Sequence, residues 1–178
     1  VIGRNSLHPS EIPIQEELIE PQLSKTILAF FPHPDDEVTV AGTLMKLKDQ
    51  GHSVYIVMLT KGEAGNSGQG YTKVELAEIR EKEMRRSASI LGVDSLYLLN
   101  YPDSGLENIG LDSIQEIAQY WINKIQPEIL ISYDSKVGLY GHSDHRLSGL
   151  AIENVFIKNL GKRNFSPKKL FQVTLSSK

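Results

Sequence analysis

Thr26-Ile27-Leu28-Ala29-Phe30-Phe31 runs without interruption into Pro32-His33-Pro34-Asp35-Asp36-Glu37. The first half is almost wholly apolar, as a strand covered on both faces is, and the second is a polar loop that begins where the strand stops. Moving outward, Val54 to Leu59, Leu96 to Leu99, Ile129 to Tyr133 and Leu170 to Thr174 are further apolar runs of strand length. Helical patterns alternate with them. Val38 to Gln50 is closed by Gly51 and Lys73 to Leu91 by Gly92, where glycine supplies the left-handed residue that follows a helix. Leu111 to Ile125 carries an apolar stripe at Leu111, Ile114, Ile117, Ala118, Trp121, Ile122 and Ile125 and ends before Pro127, and Asp144 to Leu160 reads as a fourth helix. This alternation predicts an α/β fold, a Rossmann-like three-layer sandwich with a mostly parallel β-sheet and right-handed crossovers.

The chain has 178 residues, 40% of them apolar and 23% charged, with a formal net charge of -3, which suits one domain with one core. Residues 1–24, with Pro9, Pro13, Pro21 and several glutamates, read as an N-terminal arm or linker, and residues 25–178 as the domain. The sequence starts at Val1, so a mature product or an excised piece is expected. A cytoplasmic location is the default expectation, with a removed signal or anchor left open. There are no cysteines, which excludes disulfides, thiolate metal sites and cysteine nucleophiles. Lys and Arg are scattered or paired with acids, so a nucleic-acid partner is not expected. No apolar stretch approaches the roughly 20 residues of a membrane span.

Open parallel sheets bind ligands at the carboxyl ends of their strands, beside the point where strand order reverses. In a 3-2-1-4-5 order, strands one and four are neighbours, and the loops facing each other across the crevice are then Pro32 to Glu37 and Gly141 to His145. Three of the five histidines, His33, His142 and His145, fall in these loops beside Asp35, Asp36 and Asp144. Imidazole with carboxylate is zinc-type ligation, and three protein ligands leave a position for a water whose pKa the metal lowers to about 7. A hydrolase follows. Adjacent side chains point differently, so one of Asp35 and Asp36 can ligate while the other accepts a proton. His142 and His145, three apart at a helix start, share a face and allow one ligand and one histidine outside the ligand set that could stabilise an oxyanion or protonate a departing nitrogen.

His33-Pro34-Asp35-Asp36-Glu37 after an apolar strand, with His142-Ser143-Asp144-His145 later, resembles the LmbE-like, PIG-L zinc-dependent deacetylase family from Lys25 to about Ile152. The resemblance implies hydrolysis of an N-acyl amide, the N-deacetylation of an N-acetylglucosamine-containing substrate. It implies Zn²⁺ held by His33, Asp36 and His145, Asp35 as general base, and His142 as electrostatic or acid catalyst supported by Asp144. Glu63 in Thr60-Lys61-Gly62-Glu63-Ala64-Gly65, Arg80, and Asp103 in Tyr101-Pro102-Asp103-Ser104-Gly105 match positions that line the family's sugar site. The family also continues past the last strand, so a C-terminal segment is expected to be missing. The partner implied is a small-molecule amino-sugar conjugate, and a homo-oligomer is compatible with the sequence. His142 is expected to act as an imidazolium kept charged by a carboxylate, Asp144 being nearest in sequence. A catalytically weak carbohydrate-binding domain of the same fold is the alternative. A magnesium phosphohydrolase is disfavoured because histidine suits that ion poorly and no phosphate-cradling loop is present, and a serine hydrolase because Gly-x-Ser-x-Gly is absent.

Overall fold

The computed structural model describes residues 25–65 and 68–174; the arm read at residues 1–24 lies outside them. Five strands, β1 (Thr26–Phe31), β2 (Ser53–Thr60), β3 (Ser95–Tyr101), β4 (Ile129–Tyr133) and β5 (Lys169–Val173), form one sheet in the order β3-β2-β1-β4-β5. Every pairing is parallel. Strand alternation then divides the core. Ile27, Ala29 and Phe31 of β1 face a layer made by α1 (Ala41–Asp49) and α2 (Lys73–Leu91), through Leu44, Leu47, Met84 and Leu91. Leu28 and Phe30 face the opposite layer, made by α3 (Leu111–Ile125) and α4 (Ser143–Asn159), through Ile114, Ile122, Ala151 and Ile152. The three-layer reading of the sequence is therefore the observed fold.

Local chemistry sets the helix ends. Thr72 and Glu75 form a reciprocal capping box at the start of α2, and Gly92 stops it in the left-handed region at φ 69°. The run expected as one helix from Val38 instead opens as a 3₁₀ turn over Asp36–Val40 before α1. Two short pieces, Leu106–Ile109 and Gly138–Gly141, were not expected from the sequence; the second contains non-helical dihedrals at Leu139 and Tyr140. Among the described residues, no helix is long and apolar enough to cross a membrane.

α4 runs directly over β4 at Gly149, where an added Cβ would overlap the Tyr133 carbonyl group. The fold thus places the first turn of α4 immediately beside the ends of β4 and β1, where the two loops meet. Gly149→Ala is expected to destabilise the protein by about 1–3 kcal/mol through overpacking, read as a lower Tm in thermal denaturation. An unchanged Tm would mean that α4 is not seated this closely.

Candidate metal centre at the ends of β1 and β4

The loop after β1 is a tight reversal. Pro34 and Asp35 are the central residues of a turn in which the Asp36 amide donates to the His33 carbonyl at 3.3 Å, and Asp35 has φ 93° and ψ -20°. These are the features of a type II turn, whose third position favours glycine or asparagine. Aspartate there costs roughly 1–2 kcal/mol of backbone strain. The reversal separates the two carboxylates: Asp36 is buried, whereas the Asp35 side chain is 68% exposed. Asp36 Oδ2 accepts from the His33 amide at 2.8 Å, and its Oδ1 accepts from the Tyr133 hydroxyl at 2.9 Å.

The second loop delivers His145 fully buried in the first turn of α4. Its Nδ1 lies 3.1 Å from the Gly138 carbonyl oxygen, an arrangement in which Nδ1–H donates and Nε2 keeps its lone pair for the cluster. Gly138 has to be glycine. It sits at φ 61°, and a Cβ there would crowd the Arg146 backbone.

His33 is flanked on both sides. Its Nδ1 is 3.3 Å from His145 Nε2 and 3.5 Å from Asp36 Oδ2, and His145 Nε2 is 3.1 Å from Asp36 Oδ1. Its Nε2 is 3.1 Å from Asp103 Oδ1 and 3.2 Å from Asp144 Oδ2. Two groupings of three side chains that can hold a metal result, His33 with His142 and His145, and His33 with Asp103 and Asp144. Donors about 2.0–2.1 Å from a tetrahedral zinc are about 3.4 Å apart, which matches the spacing on the Nδ1 side. The carboxylates on the Nε2 side are saturated differently. Asp144 accepts from the Ser104 amide at 2.9 Å and the Leu106 amide at 3.3 Å, and Asp103 from the Ala64 amide at 2.8 Å. They serve as hydrogen-bond acceptors for the His33 Nε2 side of the ring, which leaves Nδ1 toward His145 and Asp36.

The electrostatics agree with this geometry. Burial opposes charge on His33, but hydrogen bonds to Asp103, Asp144 and Asp36 outweigh it and raise its pKa to about 11. Asp36 shows the converse: burial pushes it up, and contacts with His145 and His33 bring it down to about 2. Both shifts favour positive charge at the cluster.

His142 departs from expectation. It is the N-cap of α4, its Nδ1 accepting from the Asp144 amide at 3.2 Å, and its ring stacks on His145 with centroids 4.8 Å apart. The Asp144 carboxylate points at His33, not at His142. Burial and the neighbouring His33 and His145 push the His142 pKa down, against the smaller opposing effect of the Asp144 and Asp103 carboxylates. The reason is local: in the first turn of α4, the Asp144 side chain reaches back to the Ser104 and Leu106 amides.

The three residues matched to a sugar site are brought to the same end of the sheet. Glu63 Oε1 accepts from the Asp103 amide at 2.8 Å, so Glu63 and Asp103 latch the loops after β2 and β3 together. Arg80 donates to the Pro34 carbonyl at 2.8 Å and the Gly62 carbonyl at 3.3 Å, and pairs with the Asp35 carboxylate. A cleft of about 460 Å³ is lined by Asp35, Arg80, Tyr71, Gln69 and Glu83 among others. A larger groove of about 890 Å³ lies between β3 and α3 and contains none of the metal-cluster residues. Sequence reasoning missed Tyr133, the last residue of β4, and Glu37, whose charge reads as an ordinary acid in a helix's first turn.

Fold and site together define a Rossmann-like domain with a buried His/Asp cluster at its switch point that could hold a metal ion. Residues 28–156 match the model of the PIG-L family, described as GlcNAc-PI de-N-acetylase, and the chain belongs to that family. It is 37% identical over 144 residues to the diacetylchitobiose deacetylase of Thermococcus kodakarensis, covering 80% of this chain and 53% of that protein. A Bacillus anthracis protein named "Probable N-acetyl-alpha-D-glucosaminyl L-malate deacetylase 2" is 34% identical over 130 residues, covering 71% of this chain and 57% of its own length. The solved structure of the N,N'-diacetylchitobiose deacetylase from Pyrococcus horikoshii superposes with a TM-score of 0.69 at 34% identity, covering 80% of this chain and 53% of that one. The chain thus spans about half the length of the curated relatives it matches.

Metal binding at His33 Nδ1 requires that nitrogen to be deprotonated, and its pKa is raised to about 11. Affinity should therefore rise with pH through the neutral range, by roughly tenfold per unit, with about one proton released per ion. Calorimetric titration of zinc into metal-free protein, in buffers of different ionisation enthalpy, measures that proton directly. Binding at pH 7 with no proton released would place the ion away from His33.

Proposed function

We propose that this chain removes the acetyl group from an N-acetylglucosamine-containing conjugate, with zinc held by His33, Asp36 and His145. The observation that carries the reading is the convergence of His33 Nδ1, His145 Nε2 and both carboxylate oxygens of Asp36, in contacts of 3.1–3.5 Å, on a loop whose Asp35 faces outward. Two imidazoles and one carboxylate with an open position suit zinc, and the deacetylase relatives support the substrate class. When bound there, zinc acts as a Lewis acid and makes water acidic enough to react near neutral pH.

The chain's own residues then account for the proton movements. Asp35, at the mouth of the cleft and one residue from a ligand, accepts a proton from the attacking water. The water oxygen bonds to the acyl carbon, the C–N bond breaks, and Asp35 returns the proton to the departing nitrogen. His142 accepts the Asp144 amide through Nδ1, so its neutral ring carries the proton on Nε2 and donates it as a hydrogen bond to the developing oxyanion. Asp144 acts through His33, fixing which nitrogen is left for the metal. Arg80, Glu63 and Asp103 hold the loops around the cleft and present polar groups to the sugar. The alternative of a weakly catalytic carbohydrate-binding domain gives no role to the outward-facing Asp35 carboxylate or to His142 beside the cluster.

Zinc content and amine release from N-acetylglucosamine and N,N'-diacetylchitobiose test the reading. Asp35→Asn should lower kcat on the order of a hundredfold or more while keeping one zinc per chain, whereas His145→Ala should lose the metal. Full turnover by Asp35→Asn would remove Asp35 as the base.

His142 gives a separate pH test. Its pKa lies below the usual imidazole value, so the ring is neutral at and above neutral pH and becomes charged only as pH falls through that lowered pKa. His142→Ala should lower kcat by about a hundredfold and leave the alkaline side of the pH–rate profile unchanged in shape. Loss of an alkaline limb in the variant would show that a charged His142 is required.

A further inference from the structure

Glu37 is 3% exposed, and both of its carboxylate oxygens are engaged. Oε2 accepts from the Asp35 amide at 2.9 Å, and Oε1 accepts from the Ser87 hydroxyl on α2 at 2.7 Å. The amide it holds belongs to the residue at φ 93°, where the turn favours glycine over aspartate. Ser87 lies seven residues beyond Arg80, so the two share a face of α2. That helix therefore grips the turn twice: Arg80 takes the Asp35 carboxylate and the Pro34 carbonyl, and Ser87 takes the backbone of Asp35 through Glu37.

We infer that Glu37 is a positioning residue, a strut between α2 and the Asp35 amide that keeps the reacting carboxylate at the cleft while Asp36 stays turned inward. This rests on Asp35 being the base. A buried carboxylate is costly unless its hydrogen bonds are made, and this one is spent on a backbone amide and a hydroxyl without touching the metal cluster. Without the strut, the turn loses the bond that opposes relaxation out of the left-handed region. The Asp35 carboxylate then moves relative to the cleft, while His33, Asp36 and His145 keep their own partners from β4 and α4. The role is thus distinct from ligation.

The experiment uses the zinc-loaded chain with Glu37→Gln, Glu37→Leu and Ser87→Ala. Glutamine keeps an acceptor for the Asp35 amide and a partner for Ser87; leucine keeps neither; Ser87→Ala removes only the anchor on α2. Hydrogen exchange at the Asp35 amide should be unchanged in Glu37→Gln and faster on the order of tenfold or more in Glu37→Leu, with an intermediate value in Ser87→Ala and β1 amides unaffected. In the same proteins kcat should fall by about tenfold to a hundredfold for Glu37→Leu, with KM and zinc content held, and be restored in Glu37→Gln. Should Glu37→Leu fail to fold, Ser87→Ala carries the same two readouts. Asp35 exchange unchanged in the leucine or serine variants, or kcat lost equally with glutamine and leucine, would overturn the inference. If the wild-type chain released no amine from any acetylated sugar, the deacetylase reading would fail, and the exchange result would still confirm or overturn the strut.

Discussion

Three carboxylates, Asp36, Asp103 and Asp144, converge on one buried imidazole, and the whole ligand-binding end of the sheet is organised by the need to satisfy them. Burying ionised groups is expensive unless each is paired and hydrogen-bonded. The acceptors are accordingly filled from almost every element nearby. Asp36 is held by its own loop and by Tyr133 of β4, Asp103 by Ala64 after β2, and Asp144 by two amides that follow β3. Loops that emerge from four different strands are thereby tied to a single charge cluster. At its centre the hydrogen bonds to the three carboxylates raise the His33 pKa against the cost of burial.

Much of this was legible in the sequence because the sheet is buried on both faces. β1 and β4 are continuous apolar runs, and once they are recognised as parallel neighbours, the loops that follow them must meet. β3 was legible only in part. It is an edge strand with half-buried side chains, and its real extent from Ser95 to Tyr101 exceeds its apolar core. The boundaries that were missed share a cause. The 3₁₀ turn over Asp36–Val40 and the broken turn at Gly138–Gly141 are imposed by groups that must point at the cluster, a tertiary demand without helical periodicity. Partnerships were harder still to read. Asp144 is two residues from His142 in sequence, yet its carboxylate partners are His33 and amides near residue 105, about 40 positions away or more.

The Asp35–Asp36 pair shows how one backbone feature separates two chemically identical side chains into two environments. In an extended or helical segment, neighbours diverge by a fixed angle and both can remain near the surface. Here the type II turn folds Asp36 back onto the His33 amide and leaves Asp35 outside, so burial differs sharply across one peptide bond. Glycine at position 35 would relax the turn and abolish the side chain that the position exists to present. Strain of this kind persists only where surrounding contacts over-determine the conformation. α2 supplies those contacts on one side and the Asp36 hydrogen bonds supply them on the other. The turn therefore depends on two supports that do not touch each other.

That division also separates what must stay rigid from what can adapt. The cluster side is anchored on strand ends and the first turn of α4, where packing at Gly149 fixes helix against sheet and side chains have little freedom. The Asp35 side opens on a cleft built from Arg80, Tyr71, Gln69 and Glu83, residues of α2 and the glycine-rich segment before it. Loops of that kind change shape and composition without disturbing a core. A domain arranged this way can vary the cleft without disturbing the buried cluster. The turn thus divides an adaptable α2 side from a tightly packed β4–α4 side, and Asp35 is bound to the first while its neighbour Asp36 is bound to the second.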